Sequence, residues 1–344
     1  MKTYLKKIVS VAMAGVFLFS VAGCGTNSTA KDTAKASSSS SAYDGEIILG
    51  QSSWIGFAPL YIAEEKGFFK KHGANVKIQS IESKADSKSA LAADRIQGVS
   101  TSADTHVVNA AAGIKEVQIL ALDTSAGGDG IVAKKEIKTI EDLKGKKVAL
   151  DTTGGADFFW FQYLLREKGL SLKDFDVQSM SAGDAGAAFV AGKVDAAITW
   201  QPWLSKATAT DFGYTLMDSK QSPGVIVDTF AMKKDFIAQH PESAQAIVDA
   251  WYDALDYLKS NEEDALQIMA KRLGEKPEKL KEELKDVQFY DEAGNKAYFG
   301  TKEQPGDFYK IVKMASELWL QTKLIDKEID PASIIDGSFL TRSK

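Results

Sequence analysis

Two indoles and an amide, Trp200, Gln201 and Trp203, fall within four residues of the stretch GKVDAAITWQPW at 192–203. An indole offers its face to an apolar group or a cation, and a carboxamide can orient a polar one. The surrounding elements put all three where such chemistry is used. Gly192 supplies the positive φ that ends a helix. Val194 to Thr199 is a short apolar run between Gly and Pro, the pattern of a strand buried on both faces. Pro202 then begins a new helix, where its missing N–H costs nothing. The boundary between a strand and the next helix is where ligands bind in open α/β sheets. The other reading of both indoles is core packing.

Strand-like and helix-like patterns alternate through the first part of the chain. Glu46 to Gly50, Asn75 to Ser80 and Gly98 to Ser100 read as extended, and Ala58 to Lys71 and Asp86 to Ile96 as helical. That alternation argues for βαβ units and a largely parallel sheet. The unit occurs twice. Glu65-Lys66-Gly67 is echoed by Glu167-Lys168-Gly169, VKIQS ending at Ser80 by DVQS ending at Ser179, and Ala90 to Gly98 by Ala188 to Ala196, with an offset that drifts from 102 to 98 residues. Ser102 then corresponds to Trp200, and Thr101 to Asp104 line the same cleft from the other lobe. Thr152-Thr153-Gly154-Gly155 follows Asp151 in the matching place of the second copy.

Gly127-Gly128-Asp129-Gly130, after the strand Val117 to Leu122, marks one crossing between lobes, and Pro223-Gly224 a second. Beyond Pro241 the pattern is mostly helical, with candidates at Glu242 to Leu258, Glu262 to Arg272, Lys276 to Leu284 and Phe308 to Leu320. Their apolar spacing is packing, and Glu275 to Lys285 reads as a solvated helix face.

Lys2, Lys6 and Lys7 precede an apolar run from Ile8 to Ala22 that stops at Val21-Ala22-Gly23-Cys24. This is the form of a signal peptide, too short to span a membrane. Cys24 is the only cysteine, so no internal disulfide is open to it. From Gly25 to about Asp44 the Ser-rich composition is that of a flexible tether. Cleavage of the leader removes three Lys and lowers the formal charge from −5 by three, which excludes a nucleic-acid binder. No Walker loop, GxGxxG, GxSxG, HExxH or CxxC occurs. His72 and His240 read as solvated, and His106 as a possible contact at the cleft loop. No catalytic residue, metal site or cofactor is expected.

Taken together, the lipobox ending at Cys24, the Ser-rich tether, SSWIGFAPLYIAEEKGFFKKHG at 52–73, DLKGKKVAL at 142–150, GDAGAAFVAGKVDAAITWQPW at 183–203 and the segment around Asp228 resemble the nitrate/sulfonate/taurine-type periplasmic binding proteins. The resemblance covers the whole mature chain. It implies an α/β fold of two doubly wound lobes joined by a two-crossing hinge, a type II periplasmic binding protein with a mostly helical C-terminal part. The plan is a signal peptide at 1–23, a lipidated Cys and disordered tether at 24–44, lobe I at 45–130 and 226–344, and lobe II at 131–225. It further implies lipidation of Cys24, a location at the cell surface or in the periplasm, and partnership with an ABC permease and its cytoplasmic ATPase. Monomer is the default.

Carried over position by position, the resemblance makes Gln51, Ser53, Trp54, Ser102, Asp104, Asp123, Ser125, Asp129, Thr152, Thr153, Phe158, Asp184, Trp200, Gln201, Trp203 and Asp228 the ligand-binding set. The cleft segments around them hold no Lys or Arg but six Asp, Asp157 included. Some of these are helix caps, Asp184 foremost. Acids beside Trp54, Trp200 and Trp203 suit a small amine-, amidine- or guanidine-bearing ligand. The competing ligand is a sulfonate or taurine held by helix N-termini and hydroxyls, with Thr152, Thr153 and the Gly154-Gly155 backbone placed for it. The remote functional alternatives are a pyrimidine-synthase-like enzyme on the same fold, against which the lack of mature cysteines beyond Cys24 counts, and a surface lipoprotein outside transport.

Overall fold

Residues 43–343 are described by a computed structural model. The expected leader, Cys24 and all of the tether except Tyr43 and Asp44 lie outside them. The strands are β1 Ile47–Gln51, β2 Val76–Ser80, β3 Gly98–Ser102, β4 Glu116–Ser125, β5 Asp129–Lys134, β6 Lys147–Leu150, β7 Asp176–Ser179, β8 Ala196–Trp200, β9 Gly213–Asp218, β10 Val227–Lys233 and β11 Val287–Phe289. They form two sheets, in the orders β11-β4-β10-β3-β1-β2 and β7-β6-β8-β5-β9.

Leaving β11 aside, the two orders are the same. In each lobe three parallel strands, β2-β1-β3 or β7-β6-β8, are followed by two antiparallel neighbours. The strand antiparallel to the third comes from after the crossing, β10 in lobe I and β5 in lobe II; Asp129 and Gly130, expected at the end of lobe I, are the first residues of β5 and pair within the lobe II sheet. The register carries the match into the cleft: Asp228 lies opposite Ser102, and Asp129 opposite Trp200. Ser102 and Trp200 are thus equivalent positions, each beside an aspartate.

The helices are α1 Pro59–Glu65, α2 Phe68–Lys71, α3 Lys84–Ala92, α4 Ala103–Ala111, α5 Ala156–Glu167, α6 Ala182–Val190 and α7 Trp203–Thr208, then α8 Lys234–Gln239, α9 Pro241–Ser260, α10 Glu262–Leu273, α11 Pro277–Glu283, α12 Glu292–Phe299 and α13 Asp307–Gln321. The equivalent helices α3 and α6 start alike, because the side chains of Ser83 and Ser181 accept the N–H three residues on. Gly67, at φ 71°, divides the expected helix at 58–71 into α1 and α2. Pro202 caps α7 from outside instead of beginning it, and the Gln201–Pro202 peptide is cis. The C-terminal part adds a strand and a helix to the expected four helices. β11 is only three residues long, and α12 hides behind a tyrosine-rich stretch whose apolar spacing is irregular. Trp160, Trp251 and Trp319 are the largest fully buried side chains, and Trp319 packs between α13, α5 and α4, against Phe158 and Phe159 and with its N–H on Asp104 O. Among the described residues no helix is long and apolar enough to cross a membrane.

The crossings are short. One runs from β4 to β5 through 126–128, and the other from β9 to β10 through 219–226. They are tied to each other. Ser219 Oγ accepts the Gly127 N–H at 2.7 Å and pairs with Ser125 Oγ at 2.7 Å, while Thr124 Oγ1 donates to Ile226 O.

Candidate functional site

A narrow cavity of about 40 Å³, open to solvent at its mouth, lies between the two sheets. Its walls come from strand ends and the loops after them, for the reason that governs all open α/β sheets. Of the sequence-derived set, Gln51, Trp54, Ser102, Asp129, Trp200 and Asp228 line it, and Lys84, Phe57, Ser100 and Asn109 are among those that join them.

The chemistry around it is acidic. Asp129 and Asp228 line the cavity, whereas the expected contacts Asp104 and Asp123, and Asp157 with them, lie behind the lining; all five are at most 5 % exposed. Trp54 Nε1 donates to Asp123 Oδ1 at 3.0 Å, and Asp129 takes its backbone support from Ser125 Oγ at 3.0 Å. Asp123 Oδ2, Asp129 Oδ2 and both oxygens of Asp157 are buried with no protein donor. Burial pushes Asp123 up to about 8, against the Trp54 hydrogen bond and with help from the charge of Asp129. Burial likewise raises Asp129 to about 6, opposed by its Ser125 and Asp157 contacts and by Lys84. Asp157 and Asp228 are held well above the ordinary carboxylate range by burial, then by repulsion from Asp129 and Asp123 respectively. Acceptors so poorly compensated would gain from a cation that brings its own donors. Among the described residues no group of three or more His, Cys, Asp or Glu has the geometry to hold a metal ion.

Of the expected anion-binding groups, Thr152, Thr153 and the Gly155 N–H are already engaged. The Gly155 N–H at the start of α5 donates to Asp104 Oδ2 at 2.8 Å, across the lobes. Thr153 gives its N–H and hydroxyl to Asp151 Oδ1 at 2.8 and 2.6 Å, and Thr152 Oγ1 pairs with Ser179 Oγ. Carboxylates of the chain itself thus sit where an oxyanion would use a helix N-terminus.

Several expected contacts lie elsewhere. Asp184 is exposed and closes the cap of α6 with Ser181, as its position at a helix start dictates. Trp203 packs over Gly186 beneath the Lys206 ammonium, 4.5 Å from its ring, and does not reach the cavity. Gln201 turns its Oε1 to the N–H and hydroxyl of Ser205. Phe158 stacks on Trp319 in the core, with ring centroids 5.2 Å apart. Ser53 pairs with Glu82 at an exposed edge, and Ser125 belongs to the crossings. His106 is fully buried against Glu116, 2.8 Å away, and His72 pairs with Asp253 instead of being free in solvent.

Two charged features escaped the sequence reading. Lys84 enters the cavity from the first position of α3, two residues ahead of the helix expected at 86–96. The run at 275–285 is solvated on one side only: Lys276, Glu278, Lys281, Glu282 and Lys285 are exposed, but Glu283 is 3 % exposed and Lys279 links it to Glu275, which also meets Lys206 of lobe II at 3.2 Å.

The NMT1-like family matches residues 42–274. This chain belongs to the NMT1-like family. A Bacillus subtilis protein named for aliphatic-sulfonate binding is 26 % identical over 349 residues, covering 98 % of this chain and 97 % of its own. Among solved structures, the periplasmic aliphatic sulphonate binding protein of Escherichia coli superposes with a TM-score of 0.70 at 19 % identity, over 85 % of this chain and 98 % of that one. The periplasmic nitrate-binding protein of Synechocystis PCC 6803 gives 0.68 at 18 %, over 84 % of each. This NMT1-like chain is a solute-binding protein of an ABC import system, in the sulfonate, nitrate and taurine family, and several of its relatives and solved neighbours are named as periplasmic proteins. Its relatives are binding proteins and not enzymes.

Proposed function

We propose that the cleft captures a small organic cation bearing an amine, amidine or guanidine group. One observation carries the reading: Asp129 Oδ2, on the cavity wall with the indoles of Trp54 and Trp200, and Asp123 Oδ2, behind Trp54, are buried acceptors without a protein donor. A planar cation would pair with the carboxylates through its N–H groups and lay its face on an indole. Ligand that bridges Asp129 and Trp200 of lobe II and Asp123 and Asp228 of lobe I favours the closed arrangement, with the tied crossings at 126–128 and 219–226 as hinge.

Aliphatic sulfonate is the second reading, favoured by the name of the Bacillus subtilis relative. Against it stand the carboxylates already seated on the Gly155 and Thr153 N–H groups. One panel separates the two: the thermal midpoint with guanidinium, amidines and amines on one side, and with alkanesulfonates, taurine and nitrate on the other. Ligand at ~1,000 times its dissociation constant adds about 4 kcal/mol, a rise of roughly 8 °C. A rise confined to the cations that is lost in Asp123→Asn and Asp129→Asn supports the proposal. A rise confined to sulfonates, or a cation response untouched by both substitutions, ends it.

We also infer that Val21-Ala22-Gly23-Cys24 is processed and lipidated at Cys24, which tethers the binding body to the membrane beside its permease and ATPase. Detergent-phase partitioning of the full chain, abolished by Cys24→Ser, is the expected result.

A further inference from the structure

Lys84 is the one basic side chain among the residues that line the cavity. It is the first residue of α3, in lobe I, yet its ammonium lies on lobe II. Nζ is 5.2 Å from the centroid of a Trp200 ring and 3.9 Å from Asp151 Oδ2. The latter is too long for a hydrogen bond, so what seats the charge is the indole face and the field of the acids. Asp104, Asp129, Asp157 and Asp228 all feel that field. The stem runs against Gly155, where any Cβ would overlap Lys84 Cε. The side chain is only 17 % exposed. Gly155 therefore acts as a cradle: it admits the lysine stem on one side and gives its N–H to Asp104 on the other.

We infer that Lys84 is a built-in competitor of the ligand: its ammonium claims the Trp200 face and clasps the two lobes together, and an entering cation must displace it. The inference rests on the cationic-ligand reading above. Two cations cannot share one indole face in a shielded site without strong repulsion. The lysine can yield, because its stem is flexible and leaves from a helix start at the cavity mouth. The acids are then never wholly without a counter-charge, and ligands too weak to expel an ammonium are rejected.

Lys84→Met keeps the stem and removes the charge; Lys84→Arg keeps the charge. Both are tested in the chain from residue 43 onward, which holds both sheets. Calorimetry with guanidinium chloride at fixed ionic strength reads competition. Spin labels at Arg95→Cys and Lys193→Cys, one exposed site in each lobe, read the clasp before ligand is added. The expected result is about tenfold tighter guanidinium binding in Lys84→Met, with a larger population at the long, open distance, and neither change in Lys84→Arg. Equal or weaker binding by Lys84→Met overturns the competition. If the wild type itself does not respond to guanidinium, the cationic-ligand reading falls. The distance measurement then decides alone: an unchanged distribution in Lys84→Met overturns the clasp, and a shift to the open distance supports it.

Discussion

Trp54 Nε1 donates to Asp123 Oδ1 at 3.0 Å, and the other oxygen of that carboxylate is buried with no donor from the protein. The indole fixes the carboxyl in place but answers only half of it. A carboxamide can accept the same indole N–H while offering no charge to a cation. Asp123→Asn is therefore expected to weaken guanidinium binding about 100-fold, without loss of fold. Because burial disfavours the charged form of Asp123, the ligand-free variant should melt at or above the wild-type midpoint near pH 8. Calorimetry and a thermal melt at that pH check both halves. A variant that binds normally, or one that melts lower, contradicts the account.

Protons should move with the ligand. Burial holds Asp129 at about 6 and Asp123 at about 8, against an ordinary value of 3.8. Between those values the folded protein keeps protons that an unfolded chain has released, so ligand-free stability falls as pH rises through this window. A cation needs the carboxylates ionised, so its binding should expel protons and tighten from about pH 5 to about pH 8. Calorimetry in two buffers of different ionisation enthalpy measures the proton count. Binding that releases no protons would contradict the buried-acid site.

The two indoles at the end of β8 should separate in function. Trp200 lines the cavity, whereas Trp203 lies on α7 over Gly186. Trp200→Leu is expected to lose about tenfold in affinity for guanidinium through the missing cation–π contact. Trp203→Leu should leave affinity within about twofold and lower the thermal midpoint instead. The same two titrations and melts decide it, and an exchange of the two outcomes would refute the placement.

Gly56 offers a change without any change in charge. A methyl group there would overlap both Trp54 Nε1 and Asp123 Oδ2. Gly56→Ala should therefore push the pair apart and weaken guanidinium binding about tenfold or more. The tryptophan fluorescence maximum of the variant should shift as Trp54 is displaced. Unchanged affinity with an unchanged spectrum would mean that the loop yields freely.

The grammar of the lobes was readable from residue types. Gly192 lies at φ 70°, as a helix end favours, and the 98-residue offset that aligned Ser102 with Trp200 is the register that sets Asp228 and Asp129 beside them. Local chemistry decides both. What escaped the sequence depends on distance in space. Lys84 belongs to a helix whose neighbours give no hint that its ammonium lands on the opposite lobe. Glu275 and Glu283 stand in a polar run, and only the approach of Lys206 and the burial under it reveal them as a contact between lobes. Trp200 and Trp203 look alike in a string, yet the turn at Pro202 sends one to the cavity and the other to the back of α6.

One buried hydroxyl ties the crossings together beside the Thr124–Ile226 contact. Ser219 Oγ holds the Gly127 N–H and the Ser125 hydroxyl, each at 2.7 Å, and so joins one crossing to the other. Ser219 is fully buried, so Ser219→Ala leaves a backbone donor and a hydroxyl with no route to solvent. The cost should be about 2 kcal/mol, seen as a fall of roughly 4 °C in the thermal midpoint. The cavity itself is untouched, so Asp123 and Trp54 should keep their contact. Closure would nonetheless have to order a looser pair of crossings, and guanidinium binding should weaken by about threefold, mostly through faster release. Stopped-flow release rates together with the melt test this. A variant with wild-type stability and release would show that the two crossings act independently.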